Sequence, residues 1–283
     1  MMYPKIILHG GFFSESSTSH KTKTAKQNAL TEIIERSYSF LETHSALDAV
    51  VYAVELLENC DLFNAGIGSQ IQRDGKIRMS ASLMDGVSKK FSGVINIEDV
   101  KNPIRVAEKL MGEEDRVLGG EGALQFARTH GFTYFNTETP LRKIEFESKL
   151  HASKTGTVGC VALDKEGRLA AATSTGGKGF ELPGRISDSA TVAGNFANDE
   201  CGISCTGVGE DIVSGATAVK IATRVSDGFS LKEAFDRTFA ELKLFNGFAG
   251  AVGIDNRGNI FHQDSHPSMV FASFDGSSLI IFD

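Results

Sequence analysis

The residues able to do chemistry lie in four short glycine- and hydroxyl-rich stretches: FNAGIGS (63–69), GTVG (156–159), ATSTGGKGFELPGRISDS (172–189) and SCTGVGED (204–211). Each alone reads as a turn, since glycine supplies unusual backbone angles and threonine favours strands. Together they place several hydroxyls near Arg185 and Asp188, a set suited to a zwitterionic small molecule. Arginine grips a carboxylate through two parallel hydrogen bonds, and aspartate accepts an ammonium. Among the hydroxyls, a threonine nucleophile needs a base, and one solution is its own α-amine at a chain terminus. An α-amine has a reference pKa of about 7.7–8.0 against about 10.4 for lysine, so far more of it is neutral near pH 7. Thr157 is internal and acquires such an amine only if the bond from Gly156 is cut. Glycine there permits the strained backbone that brings a hydroxyl onto the preceding carbonyl.

Other chemistries fit less well. TGGKG lacks the frame of a phosphate-binding loop, because Gly179 follows Lys178, and no GxSxG nucleophile elbow occurs. His262 and His266 in HQDSH have helical spacing but follow a strand pattern and precede Pro267, which favours a loop role over metal. His9, ahead of Gly10 and Gly11, reads as shaping a backbone turn. The four cysteines, Cys60, Cys160, Cys201 and Cys205, sit in apolar runs as reduced core thiols do, and Cys201-x3-Cys205 has no second pair to complete a zinc site.

The elements that must position these residues follow from periodicity. Lys5 to Leu8 reads as a strand, and the polar stretch after it as a loop entering a helix over 26–43. A second helix begins after Ser45, three residues before Asp48, and a third at Asn102-Pro103. Strands at 157–163 and 168–174 flank the turn-like DKEG. VGCVALDKEGRL (158–169) and AGAVGIDNRGNI (249–260) match position for position, Asp164 with Asp255 and Gly167 with Gly258. Two such hairpins predict antiparallel sheets. Helices over 214–226 and 230–244, the latter opened by Ser230 and Glu233, lie between them. Helices grouped early and hairpins flanking helices late predict an α+β protein, a four-layer αββα sandwich, with a three-layer α/β fold as the alternative.

At 283 residues the chain can bury a substantial core without staples. Its formal charge of −7, from 29 Lys+Arg against 36 Asp+Glu, argues against a nucleic-acid partner. The short apolar run before His9 fits neither a signal peptide nor a membrane span, so no membrane association and a cytoplasmic location are expected.

LENCDLFNAGIGS, MDG, GTVGCVALDKEGRLAAATSTGG, PGRISDS and SCTGVGE, in that order from about His9 to Gly215, resemble the plant-type L-asparaginase/isoaspartyl aminopeptidase family of N-terminal-nucleophile hydrolases. The resemblance implies a single domain over 1–283, synthesised as an inactive precursor that cuts itself between Gly156 and Thr157. That would leave an α chain of 156 residues and a β chain of 127. It implies Thr157 as nucleophile, Thr175 beside it, Thr206 and the Gly207 N–H as oxyanion hole, and Asn64 near the scissile bond. Arg185 would take the substrate α-carboxylate, and Asp188 with the Gly209 carbonyl its α-ammonium. The substrate would be L-asparagine or a β-aspartyl dipeptide. No catalytic cofactor is implied. A structural sodium ion would rest on backbone carbonyls of Leu57, Glu58, Cys60, Phe63, Ala65 and Ile67, and the assembly would be a dimer of αβ units. Glycosylasparaginase-like or threonine-protease activity, or a non-catalytic binding protein of the same fold, are the alternatives. The chain departs from the family pattern at Ser80, at Ser187 and in FHQDSHPSM, which lacks the usual asparagine-threonine pair and glycine-methionine step. The segment before the cut, about 130–156, is short, and strain with slow processing is expected there.

Overall fold

The computed structural model describes residues 3–13, 20–148 and 156–283, with the side chains of 20 and 21 excepted. In chain order the elements are β1 (Lys5–Phe12), α1 (His20–Leu41), α2 (Ala46–Glu58), β2 (Met79–Asp85), β3 (Phe91–Ile97), α3 (Pro103–Leu110), β4 (Val117–Gly119) and α4 (Gly120–Thr129). There follow α5 (Pro140–Glu147), β5 (Val158–Leu163), β6 (Leu169–Thr175), β7 (Asn195–Ala197), β8 (Cys201–Gly207), α6 (Gly209–Gly215), α7 (Thr217–Ser226), α8 (Leu231–Lys243), β9 (Ala249–Asp255), β10 (Ile260–Asp264), β11 (Met269–Phe274) and β12 (Leu279–Ile281). One sheet runs β12-β11-β1-β5-β6-β2-β3-β4 and the other β10-β9-β8-β7. Pairing is antiparallel as expected, except where β4 joins β3 in parallel at the edge. The loop expected from Gly10 to the helix over 26–43 is shorter, because β1 runs to Phe12 and α1 already begins at His20; its residues 14–19, and 149–155 of the segment before the expected cut, lie outside the described residues.

The echoed hairpins fold alike. Asp164 Oδ1 accepts from the N–H groups of Glu166 and Arg168, Asp255 Oδ1 from those of Arg257 and Asn259. Gly167 and Gly258 take φ +78° and +82°, which a side chain would strain. One hairpin, β5-β6, is central in the large sheet; the other, β9-β10, lies in the small sheet.

Strand alternation assigns the faces. From β1, β2, β5 and β6, Ile6, Leu8, Ala81, Leu83, Val158, Cys160, Ala170 and Ala172 share a core with helices α1 to α4. From β8, Cys201, Ile203 and Cys205 pack with residues of α6, α7 and α8. The opposite faces meet each other: Ile7, Val161, Leu163, Leu169 and Ala171 of the large sheet form a third core with Val252 and Ile254 of the small one. Phe12 and Met269 belong to the same core. Continuing along the same faces, its sequence changes from aliphatic to hydroxyl-bearing, and there the candidate site lies.

Local chemistry sets the helix limits. Ser45 caps α2 by accepting from the Asp48 N–H, Pro103 opens α3, and Ser230 with Glu233 forms a complete capping box on α8. The single helix expected over 214–226 is instead two, α6 and α7, broken at Ala216 in the left-handed region at φ +48°. Ser268 takes φ +123°, costing about 1–3 kcal/mol for a residue with a side chain; the family resemblance expects glycine there.

Candidate active site

Thr157 stands one residue before β5, and its buried hydroxyl donates to Thr175 Oγ1 at 3.2 Å, with Ser189 Oγ at 3.5 Å. Thr175 ends β6, where it also accepts from the Gly177 N–H at 3.3 Å. The two expected threonines are therefore in contact. Ser189 went unnoticed in GRISDS, although its hydroxyl character was the available signal.

Gly156 packs against Asn64. A β-carbon on Gly156 would lie 2.6 Å from Asn64 Cβ, so only glycine fits against Asn64 at the expected scissile bond. Asn64 is itself fixed: its amide donates to the Gly177 carbonyl, and its Oδ1 accepts from the Gln70 N–H at 3.1 Å.

Thr206 belongs to the small sheet, and the register across the gap places it. A β-carbon on Gly202 would meet Val161 at 2.7 Å, and one on Gly159 would meet Ser204 Oγ at 2.0 Å. Stepping two residues forward on β8 thus moves two back on β5, and Thr206 shares the face of Gly202 and Ser204 that is turned to the large sheet, at the end of β5 where Thr157 lies. The Thr206 hydroxyl is fully buried with no hydrogen-bond partner among the described residues. Gly207, next to it, takes φ +137°, and a β-carbon there would lie 2.5 Å from the Phe248 carbonyl oxygen.

Arg185, Asp188 and Gly209 meet at one wall. A β-carbon on Gly209 would lie 2.8 Å from both Arg185 Nη2 and Asp188 Oδ1, so only glycine leaves the space between them open. Asp188 is buried, its Oδ2 has no partner among the described residues, and burial pushes its pKa up to about 7 against the pull of Arg185. The Arg185 fork is not free: Nε and Nη2 donate to Glu210 at 2.9 and 2.7 Å, and Lys178 reaches the same carboxylate at 3.0 Å. Those bonds hold Glu210 down at about 2. Glu210 was missed, although SCTGVGED offered an acidic partner for Arg185. A cavity of about 920 Å³ opens beside this pair, lined by Arg73, Lys178, Phe180, Leu182 and Val208.

His9 does not shape a turn as expected. It lies inside β1, which runs to Phe12 with an irregularity in its pairing to β11 between His9 and Phe12, where Gly11 takes φ +88°. Its ring is buried between the sheets. His262 and His266 belong to β10 and the loop after it, the first tilted against Phe271 and the second stacked on Phe248. Cys160, Cys201 and Cys205 are buried free thiols, and burial raises the pKa of each.

In the Leu57–Ile67 loop main-chain carbonyls pack closely on glycines. β-Carbons on Gly66 and Gly68 would lie 2.3 Å from the Glu58 carbonyl oxygen and 1.8 Å from that of Phe63, so these oxygens crowd onto glycines. Hard oxygen donors of this kind suit a hard cation. Among the described residues no group of three or more His, Cys, Asp or Glu offers a side-chain alternative. The buried Glu58 carboxyl ties the loop to β6 by accepting from Ser174 Oγ at 2.7 Å, beside Thr175.

A buried threonine hydroxyl one residue past a glycine, hydrogen-bonded to a second threonine between two sheets, is the arrangement that the class of threonine hydrolases requires. A family model described as asparaginase matches residues 2–151 and 141–280. The chain is 42% identical to an isoaspartyl peptidase/L-asparaginase of Synechocystis, covering 98% of this chain and 90% of that one. It is 38% identical to an isoaspartyl peptidase of Escherichia coli (90% and 88% covered) and 35% to a plant-type L-asparaginase of Pyrococcus abyssi (94% and 95%). The chain belongs to this asparaginase family.

Proposed function

We propose that this protein is a self-cleaving threonine amidohydrolase that releases aspartate from L-asparagine and β-aspartyl dipeptides. Its relatives' names support the substrates. The observation that carries the reading is the Thr157 hydroxyl, buried on Thr175 immediately after Gly156. In the precursor, Thr157 Oγ attacks the Gly156 carbonyl carbon. The Gly156–Thr157 amide bond breaks as the ester forms, the hydroxyl proton passing to the departing nitrogen so that the Thr157 amine is freed; water then hydrolyses the ester to a Gly156 carboxylate and restores the Thr157 hydroxyl. In turnover that amine takes the hydroxyl proton as Oγ attacks the side-chain carbonyl of the substrate. Thr206 and the Gly207 N–H receive the developing oxyanion. Collapse breaks the C–N bond with proton transfer to the departing ammonia or amino acid, and water hydrolyses the acyl-threonine to aspartate.

In this reading the α-carboxylate lies on Arg185, displacing or sharing Glu210, and the α-ammonium on Asp188 and the Gly209 carbonyl. The loop carbonyls from Leu57 to Ile67 would hold a sodium ion that stiffens the segment carrying Asn64. The layers stack as an αββα sandwich in one domain cut into 1–156 and 157–283, and two αβ units associate. The chain's acidity gives nucleic acid no role, and among the described residues no helix is long and apolar enough to cross a membrane.

The test is intact mass with N-terminal sequencing after purification and incubation. Two fragments, the second beginning Thr157-Val158-Gly159, are expected; a chain that stays whole while binding aspartate would leave only a binding protein.

The pKa of Asp188 gives a pH dependence. A carboxyl near 7 ionises progressively above that pH, and only the carboxylate holds an ammonium. Inhibition by aspartate should therefore weaken as pH falls below about 7, and Asp188→Asn should weaken it throughout and flatten the profile. The stability consequence has the opposite sense. The unfolded aspartate ionises near 3.9 and the folded one near 7, so the folded state holds the extra proton between them. Asp188 thus costs stability as pH rises through that window, and Asp188→Asn should raise Tm at pH 8.

A further inference from the structure

The hydrogen bonds of the sheet stop short of the residue that most needs fixing. Register pairing of β5 begins at Val158 against β6 and at Gly159 against β1, so Thr157 lies outside both ladders. In its place a side chain from the neighbouring strand reaches the Thr157 main chain: His9 Nδ1 lies 3.1 Å from the Thr157 carbonyl oxygen. The other ring nitrogen, Nε2, lies 2.8 Å from Ser204 Oγ across the gap, and Ser204 Oγ lies 2.7 Å from Thr173 Oγ1. All three side chains are fully buried. Gly159 makes the crossing feasible, because a β-carbon there would lie 2.0 Å from Ser204 Oγ and 2.5 Å from His9 Nε2.

The donors and acceptors fix the protons. A carbonyl only accepts, so Nδ1 carries the hydrogen and Nε2 is bare. Ser204 must then donate to Nε2, and Thr173 to Ser204. Burial keeps the ring neutral by pushing its pKa down to about 3, so this order persists at working pH. Once the chain is cut, Thr157 has no residue before it, and its own carbonyl is the last main-chain group that can be held from outside the ladder.

We infer that His9 is a positioning residue for the nucleophile: its Nδ1–H, set by the Thr173-Ser204 relay, clamps the Thr157 carbonyl and so aims the α-amine and hydroxyl. His9 touches no reacting atom. The inference rests on Thr157 being the nucleophile, and a small misplacement of a reacting group can cost about a hundredfold in rate.

The experiment compares full-length His9→Asn, His9→Gln and Ser204→Ala with wild type, reading the rate of precursor cleavage, kcat and KM on a β-aspartyl dipeptide, and Tm. Asparagine puts an amide N–H near the Nδ1 position, whereas glutamine puts it near Nε2. His9→Asn should keep kcat within about tenfold, and His9→Gln should lose about a hundredfold with KM nearly unchanged. Ser204→Ala should fall between them, since the freed ring can take the other tautomer. The same kcat in His9→Asn and His9→Gln, or losses that merely follow Tm, would overturn the clamp. Because such variants can misfold, the nitrogen-15 spectrum of wild-type His9 gives an independent reading: the proton must sit on Nδ1, and a proton on Nε2 refutes the inference. Wild type that neither cuts nor turns over would sink the functional reading instead and leave the tautomer result standing.

Discussion

Thr157→Ala is expected to remain a single chain of 283 residues and to lose turnover by at least about ten-thousandfold, while its Tm changes little. The hydroxyl removed is both the group that attacks the Gly156 carbonyl and the group that attacks substrate, so both steps fail together. The variant loses the bond to Thr175 at 3.2 Å, worth about 1 kcal/mol, and a buried γ-methyl worth about 1 kcal/mol more, which lowers Tm by only a few degrees in a chain of this size. Thr157→Ser separates chemistry from shape: it keeps the hydroxyl and, once cut, the amine, and should cleave and turn over at reduced rates. The measurements are intact mass over time, ammonia release and a thermal melt. Cleavage in Thr157→Ala at the wild-type rate would require another nucleophile, and Ser189, 3.5 Å away, would be the first to replace.

What the sequence revealed divides along the range of the forces involved. The paired hairpins were legible because a local turn chemistry repeats: aspartate accepting from two N–H groups and glycine at positive φ are fixed within a few residues. Helix starts at Ser45, Pro103 and Ser230 were legible for the same reason. The break at Ala216 was not, since alanine is the strongest helix former and its left-handed angle is imposed by tertiary contacts. At its neighbour, a β-carbon on Gly215 would lie 2.8 Å from Leu242 of α8. In the site, motif order led to Thr157, Thr175, Arg185 and Asp188 because the family resemblance carries them. Glu210 on Arg185 and His9 behind Thr157 depend on residues 25 and 148 positions apart, and no local pattern encodes such contacts. His9 shows the error most clearly: HGG reads locally as a turn, yet the glycines serve an irregular strand and the histidine the gap between sheets.

Thr206→Val should raise stability and lower activity at once. Valine matches the shape of threonine but has no hydroxyl, and the Thr206 hydroxyl is fully buried without a partner among the described residues. Such a group costs about 1–3 kcal/mol of desolvation that no hydrogen bond offsets. A fold selected for stability alone would not keep it there. It persists sensibly if its partner exists only during reaction, as the oxyanion opposite Thr157 does, and removing a single donor of that kind costs about a hundred- to a thousandfold in kcat. KM should change far less, because the ground-state carbonyl gains little from a donor placed for the tetrahedral intermediate. Autocleavage should slow as well, since the Gly156 carbonyl passes through an oxyanion of its own; how far it slows relative to turnover tells whether both oxyanions form in one place. The check is kcat, KM and denaturant unfolding on the same preparation of processed enzyme. A variant less stable than wild type with unchanged kcat would mean that Thr206 is an ordinary core residue with a hydration partner, and the oxyanion site would then have to rest on the Gly207 N–H alone.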